Sequence, residues 1–257
     1  MMKWALVTGT TVGIGASFCD LLAKNGYNIV SVSRDRKKME ENAVILRAKY
    51  GVEVEVLVAD LSDIEAIRQV ESRCLMVSKP IEVLVNNAAF GINDSFDISP
   101  IAVQEDMVQV MISAPMILTH AVLNGMKSRK KGYIINVSSV ASVMIGSTYC
   151  AAKSWLSIFS ESLSRDLLKY GIKVHASCVG FTRTEFHQRM GQDVSWVPNM
   201  FWLDSDRVAN DSWKAVQKGI PYQIPAAQYK LLIALHYYAP RFLVRVYAKI
   251  ALKFLGR

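Results

Sequence analysis

Acidic residues are missing from the whole stretch after Asp211, while Lys214, Lys218, Lys230, Arg241, Arg245, Lys249, Lys253 and Arg257 supply eight positive charges there, matching the net charge of +8. The excess charge is therefore local to one end. A nucleic-acid binder is expected to spread its basic face through the fold among aromatic residues, so that class is disfavoured and no nucleic-acid partner is expected. Cysteine is also scarce. Cys19, Cys74, Cys150 and Cys178 show no pairwise spacing that suggests a disulfide framework or a metal site, which reads as reduced thiols in a cytoplasmic protein with no bound metal. Met1 to Lys3 leads straight into an apolar segment, leaving no export signal, and no apolar run is long and uncharged enough to be expected to span a bilayer. Repeats, low-complexity tracts and linkers are absent. With 257 residues and half of them hydrophobic, the chain can bury the core of one large α/β domain.

The rest of the chain is organised around Trp4 to Gly15. Ala5, Leu6 and Val7 are apolar without alternation, as a strand covered on both faces requires. Gly9, Thr11, Gly13, Ile14 and Gly15 then form a turn that opens a helix. Gly9 permits the reversal, Gly13 lets backbone approach a pyrophosphate, and Gly15 lets helix pack on strand, so the first amides of the helix face an anion. Glycines also serve turns for steric reasons alone.

Strands are expected at Asn28 to Ser33, Glu53 to Ala59, Ile81 to Val85, Tyr133 to Val137, Ile172 to Cys178 and Pro221 to Ile224, alternating with helices. This alternation implies a doubly wound parallel sheet of Rossmann type. Ser33 and Arg34 end the second strand, where an acid would bind a ribose 2′-hydroxyl and an arginine accommodates a 2′-phosphate, so NADP(H) is favoured over NAD(H). Lys37 and Lys38 read as a solvated helix start from which Arg34 stands apart. Asp60, followed by Leu61, is placed either to bond an adenine amino group or to cap a helix near Ser62. Asn87 and Ala88 follow the fourth strand. A long helix from about Pro100 to Met126 is expected to bend at Pro115. Tyr149 and Lys153 lie four apart at the start of another helix and share a face. Residues 185–204 carry Met190, Trp196, Met200, Phe201 and Trp202 without clean periodicity, as either a lid over an apolar substrate or a loop pinned by its tryptophans.

The glycine turn, Asn86-Asn87-Ala88, Ser139 after the fifth strand and Tyr149-x-x-x-Lys153, in this order, resemble the short-chain dehydrogenase/reductase family from Lys3 to about Ile224. The resemblance implies a single catalytic domain over 1–224 that reduces a carbonyl or runs the reverse reaction. Tyr149 is then the general acid, Lys153 the cation that favours phenolate and holds the nicotinamide ribose, and Ser139 the group that bonds the substrate oxygen. Ser138 and Ser142 compete for that last role. Thr184 falls where the family has a threonine that contacts the carboxamide, with Thr182 nearby, and Gly180 is expected to bind cofactor beside them. Met111 stands where the family has an asparagine that holds water for proton supply, the segment from Ser139 to Tyr149 is about three residues short, and Ala89 and Val179 replace a usual glycine and proline. These departures motivate an alternative: a cofactor-binding member with weak chemistry, serving as a scaffold subunit. The resemblance also implies a homodimer or homotetramer.

Residues 225–257 read as a helical, basic, amphipathic extension, with Arg241, Arg245, Lys249, Lys253 and Arg257 at four-residue intervals. It is expected either to lie on an anionic membrane surface, making the protein peripherally membrane-associated, or to pack on its own domain or a partner. The expected substrate is a hydrophobic carbonyl compound: 3-oxoacyl, sterol-like or otherwise lipid-like.

Overall fold

A computed structural model describes residues 3–238 and Pro240. Seven strands form one parallel sheet in the order β3-β2-β1-β4-β5-β6-β7, with β1 at Trp4–Thr8, β2 at Asn28–Ser33, β3 at Val54–Val58, β4 at Ile81–Asn86, β5 at Gly132–Ser139, β6 at Ile172–Val179 and β7 at Tyr222–Gln223. The uninterrupted apolar run of β1 is buried at every position because helices cover both faces of the sheet. One core cluster contains Leu6, Ile67, Leu84, Leu118 and Ile134, the other Val7, Phe18, Val85, Ile135 and Val208. Successive residues of one strand thus feed opposite layers. The sheet order reverses between β1 and β4, so the crevice beyond their carboxyl ends is where this class of sheet binds ligands.

The helices are α1 (Gly13–Lys24), α2 (Arg36–Tyr50), α3 (Ile64–Cys74), α4 (Ile101–Val108), α5 (Ala114–Arg129), α6 (Thr148–Leu167), α7 (Phe186–Arg189), α8 (Ser205–Gln217) and α9 (Ala227–Tyr238). Helix α2 starts at Arg36 because Asp35 accepts from the Lys38 amide and caps it. Gly51, at φ 67°, ends it. Asp60 does not cap α3; that role belongs to Asp63, which accepts from the Glu65 amide.

The expected bend in the long helix is a π-helical turn at Gln109–Ser113 joining α4 to α5. Pro115 has no N–H to offer the carbonyl one turn back, and the backbone widens just ahead of it. The combined segment Ile101–Arg129 is long and apolar enough to cross a membrane, against expectation, because its charges cluster toward the two ends. Half of its most apolar window is buried inside the fold, as in a core helix.

Beyond the catalytic region, α9 is integrated with the sheet domain through buried Ala226, Tyr229 and Ile233. The basic repeat from Arg241 onward lies outside the described residues.

Candidate active site

The glycine turn has the shape of an anion cradle. Gly9 and Gly13 adopt φ 72° and 61°, and a Cβ on Gly15 would sit 2.0 Å from the Gly9 carbonyl oxygen, so only glycine closes this turn. Helix α1 begins with no side-chain cap and no acid in its first turn, leaving its amides and dipole to an anion. A residue overlooked in the sequence, Thr8, locks this turn to the next crossover. Its hydroxyl accepts from the Asn87 and Ala88 amides at 3.0 Å each, and the Asn87 side chain donates back to the Thr8 and Gly9 carbonyls. Asn42 on α2 fixes the other side by donating to the Thr10 and Thr11 carbonyls. Ile14 packs into the core below.

At the end of β2, half-buried Ser33 leads into Arg34, whose guanidinium lies 3.6 Å from the Asp60 carboxylate. Asp60 also accepts from the backbone and hydroxyl of Ser62, and these bonds with Arg34 outweigh partial burial, holding its carboxyl below the usual range. Leu61 is buried behind it. Arg34 remains 71% exposed, so its charge is available at the rim of the crevice.

Ser139, Tyr149 and Lys153 come together at the carboxyl end of β5. The shortened connection is spanned by a 3-10 turn, Val140–Val143, held by the Ser139 hydroxyl accepting from the Ala141 amide at 3.1 Å. The same hydroxyl lies near the Tyr149 phenol and favours its ionised form. Its two competitors are occupied elsewhere: Ser138 is fully buried between the Lys153 carbonyl and Ser157, and Ser142 pairs with Cys178. Lys153 is buried, with its ammonium 5.7 Å from the Tyr149 ring centroid and donating to the Val137 carbonyl at 2.7 Å.

Burial is the largest cause acting on the phenol. Tyr149 is half-buried, and loss of water raises its pKa well above the ordinary tyrosine value, with Ser139 acting in the opposite direction. Burial likewise pushes Lys153 down, to about 8. Loss of water is the largest cause at both groups.

The segment after β6 closes the site from above. Thr182 donates to the Gly180 carbonyl, and Thr184 places its methyl group over Gly13. Phe186 on α7 tilts against Tyr149 with ring centroids 5.7 Å apart, and the Met190 sulfur fills the space beside Gly91. Farther out, Phe181, His187, Trp196 and Trp202 form an aromatic cluster. Trp196 and Trp202 pack on Phe181, and Phe186 of the same segment lies against the tyrosine.

Below the site, Asn86 donates to Asn136, and Asn136 to Ser160, tying β4, β5 and α6 together. Met111, 1% exposed, lies in the apolar core at the π turn. Among the described residues no cluster of His, Cys, Asp and Glu could hold a metal ion.

The sequence profile described as short chain dehydrogenase matches residues 3–195. Over 179 residues the chain is 35% identical to hydroxysteroid dehydrogenase-like protein 1 of Gallus gallus, covering 68% of this chain and 54% of that protein. Over 182 residues it is 35% identical to the very-long-chain 3-oxoacyl-CoA reductase of Anas platyrhynchos, covering 67% of this chain and 57% of that protein. It thus spans little more than half the length of these relatives. Among solved structures, a short-chain dehydrogenase from Sphingobium yanoikuyae in complex with NADPH superposes with a TM-score of 0.82 at 28% identity, covering 92% of this chain and 94% of that one. The chain belongs to the short-chain dehydrogenase family.

Proposed function

We propose that the protein is an NADP(H)-dependent oxidoreductase that reduces a carbonyl on a hydrophobic, lipid-like substrate to the alcohol. The observation that carries this reading is Tyr149, packed against Phe186 with Ser139 and Lys153 beside it, one crevice away from the uncapped start of α1.

The residues present suit a phosphorylated dinucleotide. The α1 amides with Gly9, Thr11, Gly13, Ile14 and Gly15 would hold the pyrophosphate, and Ser33 and Arg34 the 2′-phosphate. Asp60, Leu61, Asn87 and Ala88 would line the adenosine side, and Gly180, Thr182, Thr184 and Lys153 the nicotinamide side. When bound, the nicotinamide supplies the hydride.

Tyr149 then donates its proton to the carbonyl oxygen. A phenol whose pKa is raised is fully protonated at neutral pH, as the reductive direction needs. Ser139 stabilises negative charge growing on the same oxygen. Phe186 and Met190 exclude water from above. Two named relatives, a very-long-chain 3-oxoacyl-CoA reductase and a hydroxysteroid dehydrogenase-like protein, support a lipid-like substrate.

The half-buried or exposed apolar side chains of α5 and α6, including Met116 and Ile158 and the stacked pair Trp155 and Phe159, support a homo-oligomer formed through the long helices. The basic C-terminal repeat supports contact with anionic membrane. Loss of liposome sedimentation on truncation after Pro240 is the expected result, and unchanged binding removes that contact. A second reading, cofactor binding with little chemistry, is favoured by the buried thioether of Met111, which cannot hold water as an amide would. Absorbance loss of NADPH against 3-oxoacyl thioesters, sterol ketones and aromatic aldehydes separates the two. Oxidation of NADPH by an apolar ketone supports the enzyme; cofactor binding without turnover of any of them supports the second reading.

A further inference from the structure

Helix α4 brings an uncompensated acceptor to the approach to Tyr149. Gln104 is 6% exposed, and its Oε1 is sealed from solvent with no hydrogen-bond donor among the described residues. It lines a narrow recess of about 10 Å³ that reaches Tyr149 and also an outer cleft of about 420 Å³ beside α4. Only Phe96 and Thr148 share both linings with it. Gln104 therefore stands at the junction through which a ligand of the outer cleft would reach the phenol.

The side chain has no structural duty that explains its acceptor. Helix α4 starts at Pro100 with no side-chain cap, and the next buried position on its inner face, Met107, is apolar. A buried carbonyl without a donor destabilises a fold, whereas an apolar side chain of the same length would fill the space without that cost. The missing donor is accounted for if a ligand supplies it. Carboxylates surround the recess: Asp94 lines the inner part and Glu105 the outer. They disfavour an anionic ligand group, and on a hydrophobic substrate the complementary partner is a neutral N–H or O–H.

On the reductase reading given above, we infer that Gln104 is a specificity-determining residue, accepting a hydrogen bond from a neutral amide N–H or hydroxyl carried by the substrate away from its reacting carbonyl. The substrate class narrows from hydrophobic ketones in general to hydrophobic ketones bearing such a donor. Amides of acyl thioester carriers and hydroxyls of polycyclic or long-chain ketones both provide one.

Matched substrate pairs test this. One pair is a 3-oxododecanoyl N-acetylcysteamine thioester and its N-methyl amide; the other is a hydroxylated polycyclic ketone and its methyl ether. Each change removes the donor and adds one methyl group, whose steric effect would persist in a Gln104→Met variant whereas a donor effect would not, and the two pairs distinguish amide from hydroxyl. Wild-type kcat/KM is expected to favour the donor-bearing member of at least one pair by roughly 10- to 100-fold, the penalty for leaving a buried acceptor unpaired. Gln104→Met, which keeps length and removes the acceptor, is expected to bring that ratio toward one, with Tm equal to or above wild type. No preference in either pair, or a preference that survives Gln104→Met, overturns the inference. Absence of turnover on every ketone would instead remove the reductase reading. Calorimetric titration of the same pairs with NADP+ present then decides the inference alone: donor-selective binding lost in Gln104→Met supports it, and equal binding overturns it.

Discussion

The Tyr229 hydroxyl donates to the Phe201 carbonyl at 2.6 Å. The same oxygen accepts from the Phe181 amide at 2.9 Å, so one side chain of α9 joins the two ends of the segment that covers the active site. Its ring lies where a Cβ on Gly180 would have to go, which makes glycine obligatory there. Tyr229→Phe leaves two backbone groups without their partner and is expected to cost roughly 1–3 kcal/mol, measured by urea unfolding. Because the loosened segment carries Phe186, KM for a hydrophobic ketone should rise more than kcat falls. A variant with unchanged stability and unchanged KM would show that α9 does not hold the segment.

Arg34 gives a cofactor prediction. With a highly exposed side chain, its ion pair with Asp60 contributes at most about 1 kcal/mol to folding. Its value lies in a 2′-phosphate. Arg34→Ala is expected to weaken NADPH binding roughly 10- to 100-fold, the loss of a charge-assisted contact, while NADH binding and Tm barely change. Calorimetric titration with both cofactors measures the two effects, and equal weakening of both would contradict the assignment.

Lys153 sets a pH dependence of stability. Its pKa falls from 10.5 in the unfolded chain to about 8 in the fold. Between those values the unfolded chain binds more protons, so this group's contribution to stability rises with pH through that window. Below pH 8 its buried charge is a full cost to the fold. Tyr149 acts in the opposite sense, since its raised pKa makes its contribution fall as pH climbs above 10. The stability of Lys153→Met minus that of wild type should therefore shrink between pH 7 and 10. Urea unfolding across that range reads the difference, and a gap independent of pH would place the lysine in a wetter setting.

Met111→Asn tests the proton supply. An amide in this apolar core without partners should cost roughly 1–3 kcal/mol of stability. If water held at the π turn feeds Lys153 and Tyr149, kcat should nevertheless rise. A fall or no change in kcat under saturating NADPH would mean that protons reach Tyr149 by another route.

The fold was legible because its signals are local: an unalternating apolar strand, a glycine turn and the alternation of strands with helices. The cradle and the pairing of Tyr149 with Lys153 were legible for the same reason, since a glycine φ or a four-residue spacing is written in consecutive positions. Long-range partners were not. Nothing near Thr8 signals that its hydroxyl serves Asn87, nothing near Tyr229 points to Phe201, and the orphaned Gln104 acceptor emerges only when the donors around it are known. Spacing likewise reveals a cation near Tyr149 but not the burial that raises the phenol's pKa.

The central claim is that Tyr149 protonates a carbonyl as NADPH is consumed. The most direct measurement compares wild type with Tyr149→Phe for ketone-dependent loss of NADPH absorbance, with NADPH affinity determined on both proteins. The account predicts at least a 100-fold loss of kcat, in line with removal of a general acid, at nearly unchanged cofactor affinity. Turnover retained by the phenylalanine variant, or no NADPH uptake by the folded wild-type protein, would contradict it.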